Sequence, residues 1–76
     1  MKDARPRKRS LTLQGHRTSV SLEDAFWEEL QAIAQARGLS VNALVGEIDA
    51  ARGVSAGLAS AIRVFVLHTV KSADGH

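Results

Sequence analysis

Hydrophobic and polar residues alternate along residues 10–22 before a helical period takes over. A period of two is typical of a β-strand with one face against a core and the other in water. In the second half of this segment the core-facing residues are Thr18, Val20 and Leu22, and the water-facing residues are Arg17, Ser19 and Ser21. The pattern therefore predicts a strand whose outward side chains are polar.

The stretch before this strand leaves two interpretations open. Residues 11–13 either extend the strand or form a second strand, turned back at Gln14-Gly15 into a hairpin. Because Gln-Gly is a weaker turn signal than Asn-Gly, we favour the extension and hence one short N-terminal strand in a mainly α chain. A lone strand leaves peptide groups unpaired on both edges. We therefore expect it to pair with the same strand of a second chain across a two-fold axis.

Three helices are predicted after the strand. The capping-box pattern from Ser21 to Asp24 starts the first helix over residues 23–37, and Gly38 ends it. Ser40 caps the second helix, which ends at Arg52-Gly53. After a loop, the third helix covers about residues 56–71 and is apolar almost all round, so it must be buried on several sides.

The chain is short for a monomeric core. It has 76 residues, 45% of them hydrophobic, and no cysteine, so disulfides and thiolate metal sites are excluded. Oligomerisation is then the expected further source of stability, with part of the third helix at the subunit interface. The expected core of the dimer consists of Val20, Leu22, Leu44, Val45, Ile48, Ile62, Phe65 and Val66.

Positive charge is concentrated at the N-terminus. Residues 1–17 carry a formal charge of +5 and residues 18–76 carry −3. Residues 1–9 are predicted to be a disordered basic arm before a domain over residues 10–71 and a flexible tail over residues 72–76. Such an arm suits a polyanion, although a solvated tail is the plain alternative. It has no apolar face for a membrane and no signal-peptide pattern, so we expect a cytoplasmic protein.

The strand Arg17-Thr18-Ser19-Val20-Ser21-Leu22, the helix after it and the corner Gly38-Leu39-Ser40-Val41-Asn42 together resemble the ribbon-helix-helix family of MetJ/Arc-type DNA-binding dimers. The resemblance covers residues 17–49. Beyond it, Gly53 and Gly57 interrupt the second helix, and the stretch LASAIRVFVL is similar to a bacterial subgroup of the family. The resemblance implies a ribbon-helix-helix fold with an added C-terminal helix.

The resemblance also implies roles for residues. Arg17, Ser19 and Ser21 would read bases from the major groove, although a merely solvated strand face is the alternative. The residues implied for contact with DNA phosphates are Ser40, Val41 and Asn42 at the start of the second helix, with Arg5, Arg7, Lys8, Arg9 and His16.

The implied function is that of a homodimeric, sequence-specific double-stranded DNA-binding protein, most simply a transcriptional repressor or regulator. Two alternatives stay open: an antitoxin, or a protein-interaction module without DNA binding that uses the third helix. The chain has no nucleophile elbow, no phosphate-binding loop and no metal-ligand spacing. We therefore expect neither an enzyme nor a metal or other cofactor.

Overall fold

Two strands and three helices follow one another in the computed structural model, which describes residues 4–53 and 56–73. The elements are β1 (Pro6–Leu13), β2 (His16–Glu23), α1 (Asp24–Ala36), α2 (Val41–Ala51) and α3 (Leu58–Ala73). Residues 6–9, which were expected in a disordered arm, form the first half of β1. Residues 72–73, which were expected in the tail, end α3. Residues 1–3 and 74–76 lie outside the described part.

The two strands form an antiparallel hairpin within one chain, from Leu13 opposite His16 to Pro6 opposite Glu23. The prediction of a single short strand is therefore wrong, and the hairpin alternative is the one that forms. The expected pairing with the same strand of a second chain stays a prediction. Gln14 and Gly15 turn the chain with φ of 52° and 81°. Two positive φ values are those of a type I′ turn, whose twist matches that of the strands. Gln14 accepts this backbone conformation although it is not a glycine.

The register divides the hairpin into two faces, because directly opposite residues point to the same side. The residues of the inner face lie toward the helices, and Leu11, Val20 and Leu22 among them are buried. The opposite side is exposed, and we call it the outer face: Lys8, Ser10, Thr12, Arg17, Ser19 and Ser21. The predicted division of residues 17–22 is confirmed for the outward Arg17, Ser19 and Ser21 and for the buried Val20 and Leu22. It is wrong for Thr18, which lies on the inner side of β2 near the turn but is exposed.

The backbone groups of the outer-face residues lie on the two edges of the hairpin. In an antiparallel pair, the peptide groups of alternate residues point toward and away from the partner strand. The N–H of Thr12 donates to Asn42 Oδ1 at 3.1 Å and so points away from β2. On the far edge, Arg63 Nη2 donates to the carbonyl of Ser21 at 3.4 Å. By the same alternation, Arg17 and Ser19 present their N–H and C=O groups on the β2 edge.

The ends of α1 and α2 match the sequence prediction only in part. The expected capping box is wrong, because Ser21 belongs to β2 and the N-cap residue Glu23 makes no side-chain cap bond. Gly38 ends α1 as predicted, with φ of 69°. The N–H of Leu39 donates to the Ala34 carbonyl at 2.9 Å, as in a Schellman motif. Ser40 caps α2 as predicted, accepting from the N–H of Ala43 at 3.0 Å.

The three helices and the inner face of the hairpin enclose one hydrophobic core. Seven of the eight residues expected at the centre of a dimer are buried within this single chain, whereas Phe65 is half-buried. Leu11, Leu30, Ile33 and Ala34 complete the core. The third helix contributes Ile62 and Val66 to it. A folded core is therefore available to the chain without a partner.

Arg9 joins β1 to the start of α1. Its side chain forms an ion pair with Asp24, donates to the Leu22 carbonyl at 3.2 Å and lies over the ring of Trp27 at 5.3 Å. We call these four residues the Arg9 cluster. Arg9 was expected to contact DNA phosphates, but the structure disagrees. Arg9 lies on the inner face of β1, so its guanidinium group points inward against a carboxylate.

The hairpin turn gives a test with two alanine substitutions of opposite sign. Gly15→Ala places a Cβ at a positive φ and should lower the free energy of unfolding by about 1–2 kcal/mol. Gly46→Ala lies inside α2 with open space around it and should raise the free energy of unfolding by about 0.5–1 kcal/mol. Urea denaturation measures both. A neutral Gly15→Ala would argue against the turn.

The Arg9 cluster gives a second test, because Lys8 and Arg9 are neighbours on opposite faces. Arg9→Ala should lower the free energy of unfolding by about 2–3 kcal/mol, since it removes hydrogen bonds of a charged group and a cation–π contact. Lys8→Ala should change it by less than about 0.5 kcal/mol. Thermal denaturation followed by circular dichroism compares the two. Equal losses would indicate a different register.

Candidate nucleic-acid interface

The outer face is a surface of cations and hydroxyl groups. Its cross-strand pairs are Lys8 with Ser21, Ser10 with Ser19, and Thr12 with Arg17. The two cations therefore lie at opposite ends and on different strands, with four hydroxyl groups around them. All six side chains are exposed. The face thus combines positive charge with groups that both donate and accept hydrogen bonds.

Glu23 is the one carboxylate of β2, and its side chain points to the same side of the sheet as the outer face. Arg63 of α3 neutralises its charge. Glu23 ends the strand, and Arg63 donates to its Oε1 from Nε at 2.9 Å and to its Oε2 from Nη2 at 3.2 Å. The hydrogen bond from Arg63 is the main cause that holds the pKa of Glu23 below its ordinary value. A hydrogen bond with the backbone of Glu23 itself is the next cause and acts in the same direction. Glu23 therefore stays ionised and paired at neutral pH.

Arg63 has further contacts at the same corner. Its guanidinium group lies 5.9 Å from the centre of the Phe26 ring and donates to the Ser21 carbonyl. We call Arg63, Ser21, Glu23 and Phe26 the Arg63 cluster. Sequence reasoning missed this role of Arg63, because 40 residues separate it from Glu23 and no local pattern connects them.

The start of α2 lies beside the β1 edge. The side chain of Asn42 accepts the Thr12 N–H, which holds the first turn of α2 against the hairpin. Ser40 is occupied as the helix cap. The helix start expected to bind a phosphate therefore lies at the β1 edge of the sheet, with its three residues together: Ser40, Val41 and Asn42.

The other residues expected to contact phosphates are distributed around the start of the hairpin. Lys8 belongs to the outer face, whereas Arg7 has the inward parity and its Nε lies 3.6 Å from Asp24 Oδ1. Arg5 precedes β1 and is exposed. His16 is exposed beside the turn. Lys8 thus lies on the same face as the base-reading candidates, whereas Arg9 lies on the opposite face.

The third helix has exposed apolar surface in addition to its buried side. The side chains of Val64 and Leu67 are 54% and 53% exposed. An apolar cavity of about 360 Å³ between α2 and α3 has Ile48, Phe65 and Val64 in its lining. The expectation that part of this helix meets another protein stays a prediction.

The described residues contain neither a group of metal-binding side chains nor a membrane-spanning helix. Among residues 4–53 and 56–73, no three histidine or acidic side chains are grouped so that they could hold a metal ion. None of the helices in that part is long and apolar enough to cross a bilayer.

Comparison with known proteins identifies the family. The model of the ribbon-helix-helix domain matches residues 6–70, which include the hairpin and nearly all of α3. A search of curated proteins and a search of solved structures returned no significant match. Since the match extends to residue 70, nearly all of the third helix falls within the family domain. Because the match covers most of the chain, the protein belongs to the ribbon-helix-helix family.

Proposed function

We propose that this protein is a homodimeric, sequence-specific double-stranded DNA-binding protein that regulates transcription in the cytoplasm of a bacterium. The ribbon-helix-helix family generally consists of DNA-binding transcription regulators and antitoxins. The observation that carries the proposal is the outer face, which presents two cations and four hydroxyl groups on an exposed antiparallel ribbon. A two-stranded ribbon fits the major groove, where base edges differ in their donors and acceptors.

Base reading is assigned to the outward residues of β2. The guanidinium group of Arg17 suits the O6 and N7 atoms of guanine, which accept two parallel hydrogen bonds. Ser19 and Ser21 donate and accept with little preference among bases. The resulting specificity is modest and depends mostly on Arg17.

The dimer is assigned to the β2 edge. Among the described residues, Arg17 and Ser19 present backbone groups there without a partner, and only the Ser21 carbonyl of that edge is engaged, by Arg63. The β1 edge is engaged by Asn42 at Thr12 and begins with Pro6, which has no N–H. Two β2 edges related by a two-fold axis pair as antiparallel strands. Their outer faces then form one continuous surface.

The antitoxin alternative receives less support from α3. A segment that folds only on a toxin is typically polar and disordered when alone. Here α3 is a helix of 16 residues, and its Ile62 and Val66 are buried in the core of the chain. Co-purification of a small basic protein with this chain would favour the antitoxin function.

The reading role of Arg17 is tested by selecting duplexes from a random pool and measuring their affinity. Arg17→Ala removes one bidentate contact from each half of the dimer, so preference for the selected duplex should weaken by about 1–3 kcal/mol per half-site, or roughly 5- to 150-fold at each. Arg37→Ala removes the same charge from a residue paired with Glu47 and should leave the preference unchanged. A folded wild-type chain with no affinity for any duplex at low salt would contradict the function itself.

The dimer is tested by proline substitutions at one cross-strand pair. Ser19→Pro removes an N–H from the β2 edge, and Ser10→Pro removes the equivalent N–H from the β1 edge. Sedimentation analysis should give twice the chain mass of 8.1 kDa for the wild type and Ser10→Pro, and the single mass for Ser19→Pro. Ser19→Ala keeps the N–H and should remain dimeric. A monomeric wild type, or a dimeric Ser19→Pro, would overturn this interface.

A further inference from the structure

The dimer just proposed has a sheet too wide for the groove that it reads. Pairing through the β2 edges gives four strands in the order β1, β2, partner β2 and partner β1. Neighbouring strands lie about 4.8 Å apart, so the backbones of the outermost strands are about 14 Å apart. The major groove is about 12 Å wide and admits two strands with their side chains. Only the central pair therefore enters the groove.

From this geometry we propose that β1 lies over the phosphates of the groove wall, so that Lys8, Ser10 and Thr12 anchor the sheet while β2 alone reads bases. The inference rests on the proposed function; it keeps the phosphate role that the resemblance implies for Lys8 and extends that role to Ser10 and Thr12, and so to the strand β1 as a whole. It divides the outer face, whose six residues look chemically alike, into a reading half and an anchoring half.

The side chains of β1 suit phosphates. Lys8 is a point charge with three donors, which matches a phosphate oxygen without selecting among bases. Ser10 and Thr12 add hydroxyl donors at intervals of two residues along the same strand. Hydroxyl and lysine side chains are common phosphate ligands in protein–DNA contacts.

The order of elements across the molecule agrees with this division. Starting from the β2 edge, one meets β2, then β1, and then the first turn of α2, which Asn42 attaches to Thr12. The N-terminus of a helix is itself suited to anions. The anchoring strand thus lies between the reading strand and a helix start of suitable polarity, on the side away from the two-fold axis.

The experiment compares the wild type with Lys8→Gln on the selected duplex and on an unrelated duplex over a series of salt concentrations. A dimer loses two phosphate contacts, so its salt slope should become shallower by about 1.8. Between 50 and 200 mM salt the wild type should then lose about tenfold more affinity than Lys8→Gln. Both duplexes should be affected equally, and a repeated selection should return the same preferred bases.

The matched control removes the same charge elsewhere. Lys71→Gln changes a lysine in the last turn of α3, about 12 Å along the helix axis from Arg63, and should leave the salt slope within error of the wild type. Circular dichroism of Lys8→Gln confirms folding, which its exposed position does not threaten.

A second measurement locates the phosphate. One phosphate at a time is replaced by a neutral methylphosphonate, and the affinity of each protein for the altered duplex is measured. At one position the replacement should lower the affinity of the wild type and leave the affinity of Lys8→Gln unchanged. That position should flank the bases whose preference Arg17→Ala alters.

The contrary results are distinct from failure of the proposed function. Altered base preference in Lys8→Gln, or an unchanged salt slope, would place β1 inside the groove or away from DNA and would overturn the inference alone. Absence of any duplex binding by the wild type would overturn the DNA-binding function and the inference with it.

Discussion

The pairing of β1 with β2 inside one chain is the constraint on which the other features depend. Its register sends Arg9 and Leu11 inward and leaves Lys8 and Ser10 in solvent. A slip of one residue would exchange the two faces of β1, which would expose Leu11 and separate Arg9 from Asp24. The inward contacts of two residues therefore determine which side chains compose the outer face, although neither residue belongs to it.

Two arginine clusters join the hairpin to α1 in the same manner. Each guanidinium group contacts a strand carbonyl, a carboxylate two residues later and an aromatic ring three residues after that. For Arg9 these groups belong to Leu22, Asp24 and Trp27. For Arg63 they belong to Ser21, Glu23 and Phe26. One arginine comes from β1 and the other from α3. Both ends of the domain thus bind the corner between β2 and α1, which fixes β2 relative to the helices. In the proposed function, a strand held in this way would lose little conformational freedom on binding DNA.

The parts of this architecture that depend on neighbouring residues could be predicted from the sequence, and the parts that depend on distant residues could not. The alternation through Val20, the cap at Ser40 and the stop at Gly38 are local patterns, and the structure contains each of them. The hairpin was predicted only as the alternative to an extended strand, because Gln14 adopts a positive φ that its residue type seldom favours and the turn had no strong signature. Arg63 was missed because its partners lie about 40 residues away.

The internal hairpin also separates folding from association. A single ribbon strand must meet a partner before its peptide groups are satisfied, so folding and dimerisation become one event. In this chain β1 satisfies the inner side of β2, and the core closes around Leu22, Leu44 and Ile62 within one molecule. The proposed pairing through the β2 edge would then add hydrogen bonds to a strand that is already formed. Under the proposed function, dimerisation would control how many outer faces reach the DNA together, whereas the shape of each face is set by its own chain.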